Sequence, residues 1–210
     1  AAVAPVVEVT GATVRFGAET VLDAVDFRLL PGEVHSLMGE NGAGKSTLIK
    51  AITGALRPDA GTIRVGGEPV HFASPADALA AGISAVYQEI DLLPNLSVGE
   101  NVLLGRESRR FGAIDWRETH RRAGAILEGL GLDIDPRTRL SGHSLAVQQL
   151  VAIARAISVD ARVVVLDEPT SSLDLDEVAE LFRVIRELTV RGVAVLFVSH
   201  FLDQVYEICD

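Results

Sequence analysis

The sequence has one cysteine, one methionine, one tryptophan and, among its 19 basic residues, only two lysines. A lone Cys209 cannot close an internal disulfide, and no CxxC pair exists to build a cysteine zinc site. Small disulfide scaffolds are therefore excluded, and a reducing compartment, the cytosol, is implied. Zinc through histidine is no better supported, because His35, His71, His120, His143 and His200 show no close i, i+4 pairing. Long apolar runs are missing too: Val163 to Leu166 and Val193 to Val198 fall far short of the roughly 20 residues that span a bilayer. No signal peptide precedes the first apolar segment, and the start on Ala1 suggests a piece excised from a longer chain. Positive charge is scarce. With 29 acidic against 19 basic residues the formal charge is -10, which disfavours general attraction to nucleic acid or anionic lipid. The local exception is Arg106 to Arg122, where six arginines meet Glu107, Asp115 and Glu118; the simplest reading is a solvated helical face.

What is present is an ordinary globular composition, 48% apolar over 210 residues, enough for one domain with an inserted subdomain. The first thirty residues alternate apolar and polar positions (Val7, Val9; Val25, Phe27, Leu29) between Phe16-Gly17 and Pro31-Gly32, predicting antiparallel β. Val34 to Met38 then reads as a short strand entering a glycine-rich loop, and Ser46 to Thr53 as a helix ended by Gly54. Thr62 to Val70 and Ile83 to Tyr87 read as strands with a helix between Pro75 and Ala81. From 98 to about 158 the pattern turns helical, with helices over Val98 to Leu104, Trp116 to Leu130 and Leu145 to Ile157. Strand and helix alternate again over Arg162 to Leu166, Leu175 to Arg191, Val193 to Ser199 and Leu202 to Ile208. Solid apolar strands alternating with helices imply an α/β fold with a parallel core sheet, carrying an antiparallel β subdomain and an inserted helical subdomain.

Gly39, Glu40, Asn41, Gly42, Ala43, Gly44, Lys45, Ser46 and Thr47 fit GxxxxGK[ST], after an apolar strand and opening a helix. In such a P-loop the glycines let backbone N–H groups converge on phosphates, Lys45 reaches the β and γ phosphates, and Ser46 ligates Mg²⁺. Val163 to Leu166 delivers Asp167 and Glu168 at a strand's carboxyl end, where ligands bind in open α/β sheets. Asp167 would hold Mg²⁺ through its water shell, and Glu168 would orient or deprotonate the attacking water. His200 ends another apolar strand.

Order and spacing together resemble the nucleotide-binding domain of ATP-binding cassette (ABC) transporters over essentially the whole chain. Tyr87-Gln88-Glu89 is like the family's Q-loop, and Ser144-Leu145-Ala146-Val147-Gln148-Gln149 stands in the place of its signature motif, 23 residues before Asp167. Pro169 to Asp174 looks like the D-loop, Ser199-His200 like the switch histidine, and Phe16, 29 residues before Lys45, like the aromatic that stacks on adenine. The resemblance implies ATP and Mg²⁺ as cofactors, with Glu168, His200 and Gln88 catalytic and Ser46, Gln88 and Asp167 around the metal. It also implies that Phe16, the P-loop from Gly39 to Thr47, Ser144, Ala146 and Asp174 contact nucleotide. Ala146 departs from the usual glycine, and its methyl is expected to crowd a γ-phosphate contact.

Gln88 to Val98, Leu104 to Glu107 and Gln148 to Ala154 resemble the tandem ATPases of bacterial monosaccharide importers, and Val198 to Tyr206 is most similar to a galactofuranose-type subunit. The implied arrangement is the first cassette of a tandem, C-terminally incomplete at Asp210, peripheral on the cytoplasmic face of the plasma membrane. Its partners would be a second cassette, membrane permease subunits docked beside Gln88 to Asn101, and indirectly a sugar-binding protein, with no nucleic acid. A soluble ABC ATPase acting as a clamp in DNA repair or translation is the alternative. The acidic charge and the absence of coiled-coil heptads stand against it. A GTPase or small-molecule kinase would leave the signature unexplained, and no Asn-Lys-x-Asp guanine reader is present.

Overall fold

The computed structural model describes residues 3–39, 42–87 and 91–209, so Asn41 and Gln88 lie outside the described residues. The chain opens with two long strands, β1 (Val7–Phe16) and β2 (Glu19–Leu29), then β3 (Val34–Ser36), helix α1 (Lys45–Ile52), β4 (Ala60–Val65), β5 (Glu68–Val70), α2 (Pro75–Ala80) and β6 (Ile83–Val86). A mainly helical stretch follows: α3 (Val98–Val102), two-residue strands β7 (Arg109–Arg110) and β8 (Ala113–Ile114), α4 (Trp116–Gly129) and α5 (Leu145–Ile157). The chain closes with β9 (Val163–Asp167), α6 (Leu175–Val190), β10 (Ala194–Val198) and α7 (Leu202–Ile208).

Two four-stranded sheets result, an antiparallel one in the order β2-β1-β4-β5 and a parallel one in the order β3-β10-β9-β6. The two central parallel strands, β9 and β10, are almost wholly apolar because both of their faces are covered, whereas the outer β3 and β6 carry His35, Ser36 and Ser84. Alternation along β9 and β10 divides the interior: Val164, Leu166, Val195 and Phe197 face the cluster built with α5 and α6, while Val163, Val165, Ala194 and Leu196 face the one built with α1 and the antiparallel sheet. The helical stretch has no separate core. Val98, Val102, Leu127 and Leu140 join the cluster of α5, α6 and the parallel sheet.

Two expectations need correction. Thr62 to Val70 is a hairpin, not one strand, because Gly66 and Gly67, at φ of 58° and 86°, supply a two-residue turn between Val65 and Glu68. The span from 98 to 158 is not purely helical: Phe111 and Gly112, also at positive φ, turn β7 back on β8. Strands of two residues are too short to show a period, so the pattern missed them.

Phe182 on α6 is fully buried and meets Phe197 of β10 edge-on at 5.9 Å between centroids. Phe182→Ala should lower the unfolding free energy by about 3–5 kcal/mol, read from urea titration of the circular dichroism signal.

Candidate nucleotide site

The parallel register sets Ser36 opposite Phe197, Val198 opposite Asp167, and Leu166 opposite Val86. The strands therefore end at one level, and the segments leaving that edge are the P-loop after β3, Ser199-His200 after β10, Asp167-Glu168 at β9 and Tyr87 after β6. Open parallel sheets bind ligands at this edge.

The P-loop turns into α1 at Gly44, which has left-handed φ of 84°. A Cβ there would lie 2.7 Å from Leu22 Cδ2 and 3.0 Å from the Val21 carbonyl oxygen of β2, so only glycine fits. Helices α3, α4, α5 and α6 begin with Ser97, Asp115, Ser144 and Asp174, whose side chains accept an N–H of the first turn. Helix α1 has no side-chain cap, so its first-turn N–H groups and partial positive charge are left to an anion. The Lys45 ammonium donates to the Gly39 carbonyl across the loop mouth. Ser46, Gly42 and Ala43 are exposed and Thr47 half-buried. Phe16 ends β1 at 54% exposure, two residues past Val14, whose cross-strand partner is the Leu22 that abuts Gly44. An exposed aromatic thus stands on the sheet flanking the loop.

Across the edge, Glu168 and His200 meet: Glu168 Oε1 lies 3.2 Å from His200 Nδ1. Glu168 adopts a left-handed φ of 50°, strained for a non-glycine residue, while its N–H donates to the Val198 carbonyl at 2.9 Å. That bond ties the carboxylate's position to the end of β10. Asp167 is half-buried, and burial, with the neighbouring Glu168 charge adding to it, pushes its carboxyl above the usual carboxylate range. A cation between the two would relieve both effects.

Three polar links had no signal in the sequence. Thr170 donates to Gln204 Oε1 at 2.6 Å, Ser199 Oγ lies 3.4 Å from the same oxygen, and the Tyr87 hydroxyl reaches Thr53 at 3.2 Å. The first two bind the segments after β9 and β10 to α7.

Ser144 and Asp174 do not reach this edge by any contact shown; each caps a helix, Ser144 at Val147 N–H and Asp174 in reciprocal bonds with Glu177. Ala146 is 6% exposed, on the buried side of α5.

Residues 22–171 match the family described as ABC transporter. The chain belongs to this family. Among relatives, the fructose import ATP-binding protein of Bifidobacterium longum is 57% identical over 207 residues, covering 98% of this chain and 40% of the relative. A ribose import ATP-binding protein of Rubrobacter xylanophilus is 52% identical, covering 97% and 41%. The chain thus spans about 40% of the length of these curated relatives. A crystal structure of the ADP conformation of an ATP-binding cassette of an ABC transporter superposes with a TM-score of 0.86 at 28% identity, covering 99% of this chain and 85% of that one. Fold and family agree with the resemblance read from the motifs.

The raised carboxyl of Asp167 gives a stability test. Below the carboxyl's unfolded pKa the residue is protonated in both states and costs nothing. As pH rises through the higher folded value, the folded state must ionise it against burial and Glu168, and stability is lost. Asp167→Asn removes that loss, so without nucleotide and with chelator present its melting temperature should exceed the parent's at pH 8, the gap narrowing as pH falls into the acid range. A constant gap across pH would show that Asp167 is not the source.

Proposed function

We propose that this chain is the ATP-binding and ATP-hydrolysing cassette that powers import of a monosaccharide through an ABC transporter. The observation that carries the chemistry is the Glu168–His200 contact on the sheet edge that also bears the P-loop. The phosphates of ATP would lie on the uncapped N-terminus of α1, the loop from Gly39 through Asn41 to Thr47 supplying N–H donors and Lys45 neutralising the β and γ oxygens. Phe16 would stack on adenine. Glu168 would take the proton of the attacking water, and His200, in contact with it, would hold Glu168 oriented and donate toward the γ-phosphate.

The donor set suits Mg²⁺ delivered with nucleotide. Among the described residues no three His, Cys, Asp or Glu side chains could hold a metal together. One carboxylate, Asp167, and the Ser46 hydroxyl would leave the other positions to phosphate oxygens and water, as Mg²⁺ prefers, with Gln88, outside the described residues, kept as a further candidate from the motif. When bound, the cation would offset charge on the transferring phosphate.

The proposed partners start from the length of the relatives. The relatives are about two and a half times longer, which leaves room for a second cassette. In a head-to-tail pair Ser144, Ala146 and Asp174 would serve the nucleotide held by that cassette. Permease subunits would dock in a cleft of about 340 Å³ lined by Leu79, Tyr87, Asp91, Leu92, Leu104 and Arg106. Arg106 favours this: its Nη1 is buried with no hydrogen-bond partner among the described residues, and burial, with Arg155 and Arg122 nearby, lowers its pKa, so an acceptor brought by a docked partner would satisfy it. No helix among the described residues is long and apolar enough to cross a membrane. Attachment at the cytoplasmic face would run through the permease. The relatives' names carry fructose and ribose rather than galactofuranose, and the sugar is left to the binding protein and permease.

The deciding experiment uses the full-length protein assembled with its permease. Lys45→Ala should abolish MgATP binding in a calorimetric titration, whereas Glu168→Gln should keep binding and slow hydrolysis by roughly 10²–10⁴. Normal turnover in Glu168→Gln would place the base elsewhere. Because the Ala146 methyl is already covered, Ala146→Gly should change turnover by less than about threefold, under roughly 0.7 kcal/mol.

A further inference from the structure

The arginine-rich stretch that nucleotide chemistry leaves unused folds into one surface. β7 pairs Arg109 with Ile114 and Arg110 with Ala113, leaving Phe111 and Gly112 as a two-residue turn with φ of 52° and 84°. Such turns favour Asn-Gly, since both positions need positive φ. A phenylalanine there is strained, and at 97% exposure no packing in this chain offsets the strain. The Arg110 guanidinium lies over its ring, 5.5 Å from the centroid. Trp116, the first residue of α4, is a second aromatic on this surface at 44% exposure.

Charge around these rings is unevenly satisfied. Arg121 grips Glu118 through two nitrogens, Asp115 caps α4, and Glu107 accepts from the Gly105 N–H. Among the described residues no carboxylate lies within ion-pair distance of Arg109, Arg110 or Arg117, all exposed. The surface is tied to the docking cleft. Arg122 donates to the Arg106 carbonyl at 3.3 Å and to Ser108 Oγ at 3.0 Å, and the Asp115 N–H closes the hairpin base on the Ser108 carbonyl at 2.7 Å. Arg106 itself lines the cleft.

We propose that the β7–β8 hairpin and the first turn of α4 contact an anionic bilayer surface, Phe111 and Trp116 seated at headgroup level and Arg109, Arg110 and Arg117 on lipid phosphates. Exposed aromatics interleaved with unpaired arginines are the chemistry of a membrane interface, where apolar insertion and headgroup attraction add. A chain of charge -10 is repelled elsewhere by the same surface, so contact is confined to this patch and fixes which side faces the membrane. Placing the patch beside the permease rests on the proposed function; the lipid contact does not, and its test needs neither permease nor ATP hydrolysis.

Trp116 is the sole tryptophan and so reports directly. The 210-residue chain is titrated with vesicles of phosphatidylcholine alone and of phosphatidylcholine mixed equally with phosphatidylglycerol, reading Trp116 emission and co-sedimentation. A blue shift and partition only with the anionic vesicles, reversed by high salt, are expected. The pair Arg109→Gln and Arg110→Gln should weaken partition at least about fivefold. Phe111→Ser should also weaken it, while each variant keeps the parent's melting temperature and its affinity for a fluorescent ATP analogue. Equal partition into both vesicles, partition into neither, or unaltered binding by the arginine pair would each overturn the proposal. Salt-sensitive binding to single-stranded RNA without vesicle binding would overturn it in favour of a nucleic-acid face.

Discussion

The parallel register that sets Ser36 opposite Phe197, Val198 opposite Asp167 and Leu166 opposite Val86 fixes where every candidate group of the nucleotide site stands. None of the loops at that edge needs to find its place independently, because each begins where a strand of the one parallel sheet stops. The register is in turn held by period-two packing, with alternate residues of β9 and β10 committed to two different apolar clusters. A slip of one residue would exchange the clusters and carry Asp167 off the edge. Chemistry and core are therefore specified by one alternation.

On that rigid base the site keeps features that a sequence optimised only for stability would lose. Helix α1 starts uncapped although four other helices of the chain are capped by Ser or Asp. Glu168 holds a left-handed backbone, and Asp167 keeps a carboxylate in partial burial beside another acid. Each costs stability in the chain as it stands, and under the proposed function each would be relieved or used by a triphosphate with its cation. The strain at Glu168 persists because its N–H is anchored on β10 and its neighbour Pro169 is buried, so the surroundings leave it no alternative.

Much of this was legible in the sequence. The P-loop pattern and the acidic strand end carry their geometry with them, and Leu145–Ile157 and Leu202–Ile208 have the bounds their apolar spacing predicted. What stayed hidden was short or non-local. The Gly66-Gly67 and Phe111-Gly112 turns interrupt segments whose flanks still look like a strand and a helix. The covered methyl of Ala146 depends on how α5 lies against its neighbours, which spacing along one helix does not report. The contact of Glu168 with His200, 32 positions apart, was accessible only as a family resemblance, since no local pattern relates them.

Helix α5 joins the parts that the proposed function must couple. Its first turn carries Ser144, the residue that would address the second nucleotide, and its far half supplies Ala152, Arg155 and Ala156 to the cleft wall. Between them the helix packs on β6 and β9, the strands that lead to Tyr87 and Asp167. A helix of 13 residues is about 20 Å of rigid rod. Arg155 also holds the Asp91 carbonyl at 2.6 Å, fixing the loop after β6 to the same rod. Under the proposed function, a displacement imposed in the cleft would be carried along α5, whose packing ties the cleft wall to Ser144 and to β6 and β9. Coupling between docking and hydrolysis would then need no dedicated pathway in this fold, only one helix with Ser144 at one end and the cleft wall at the other.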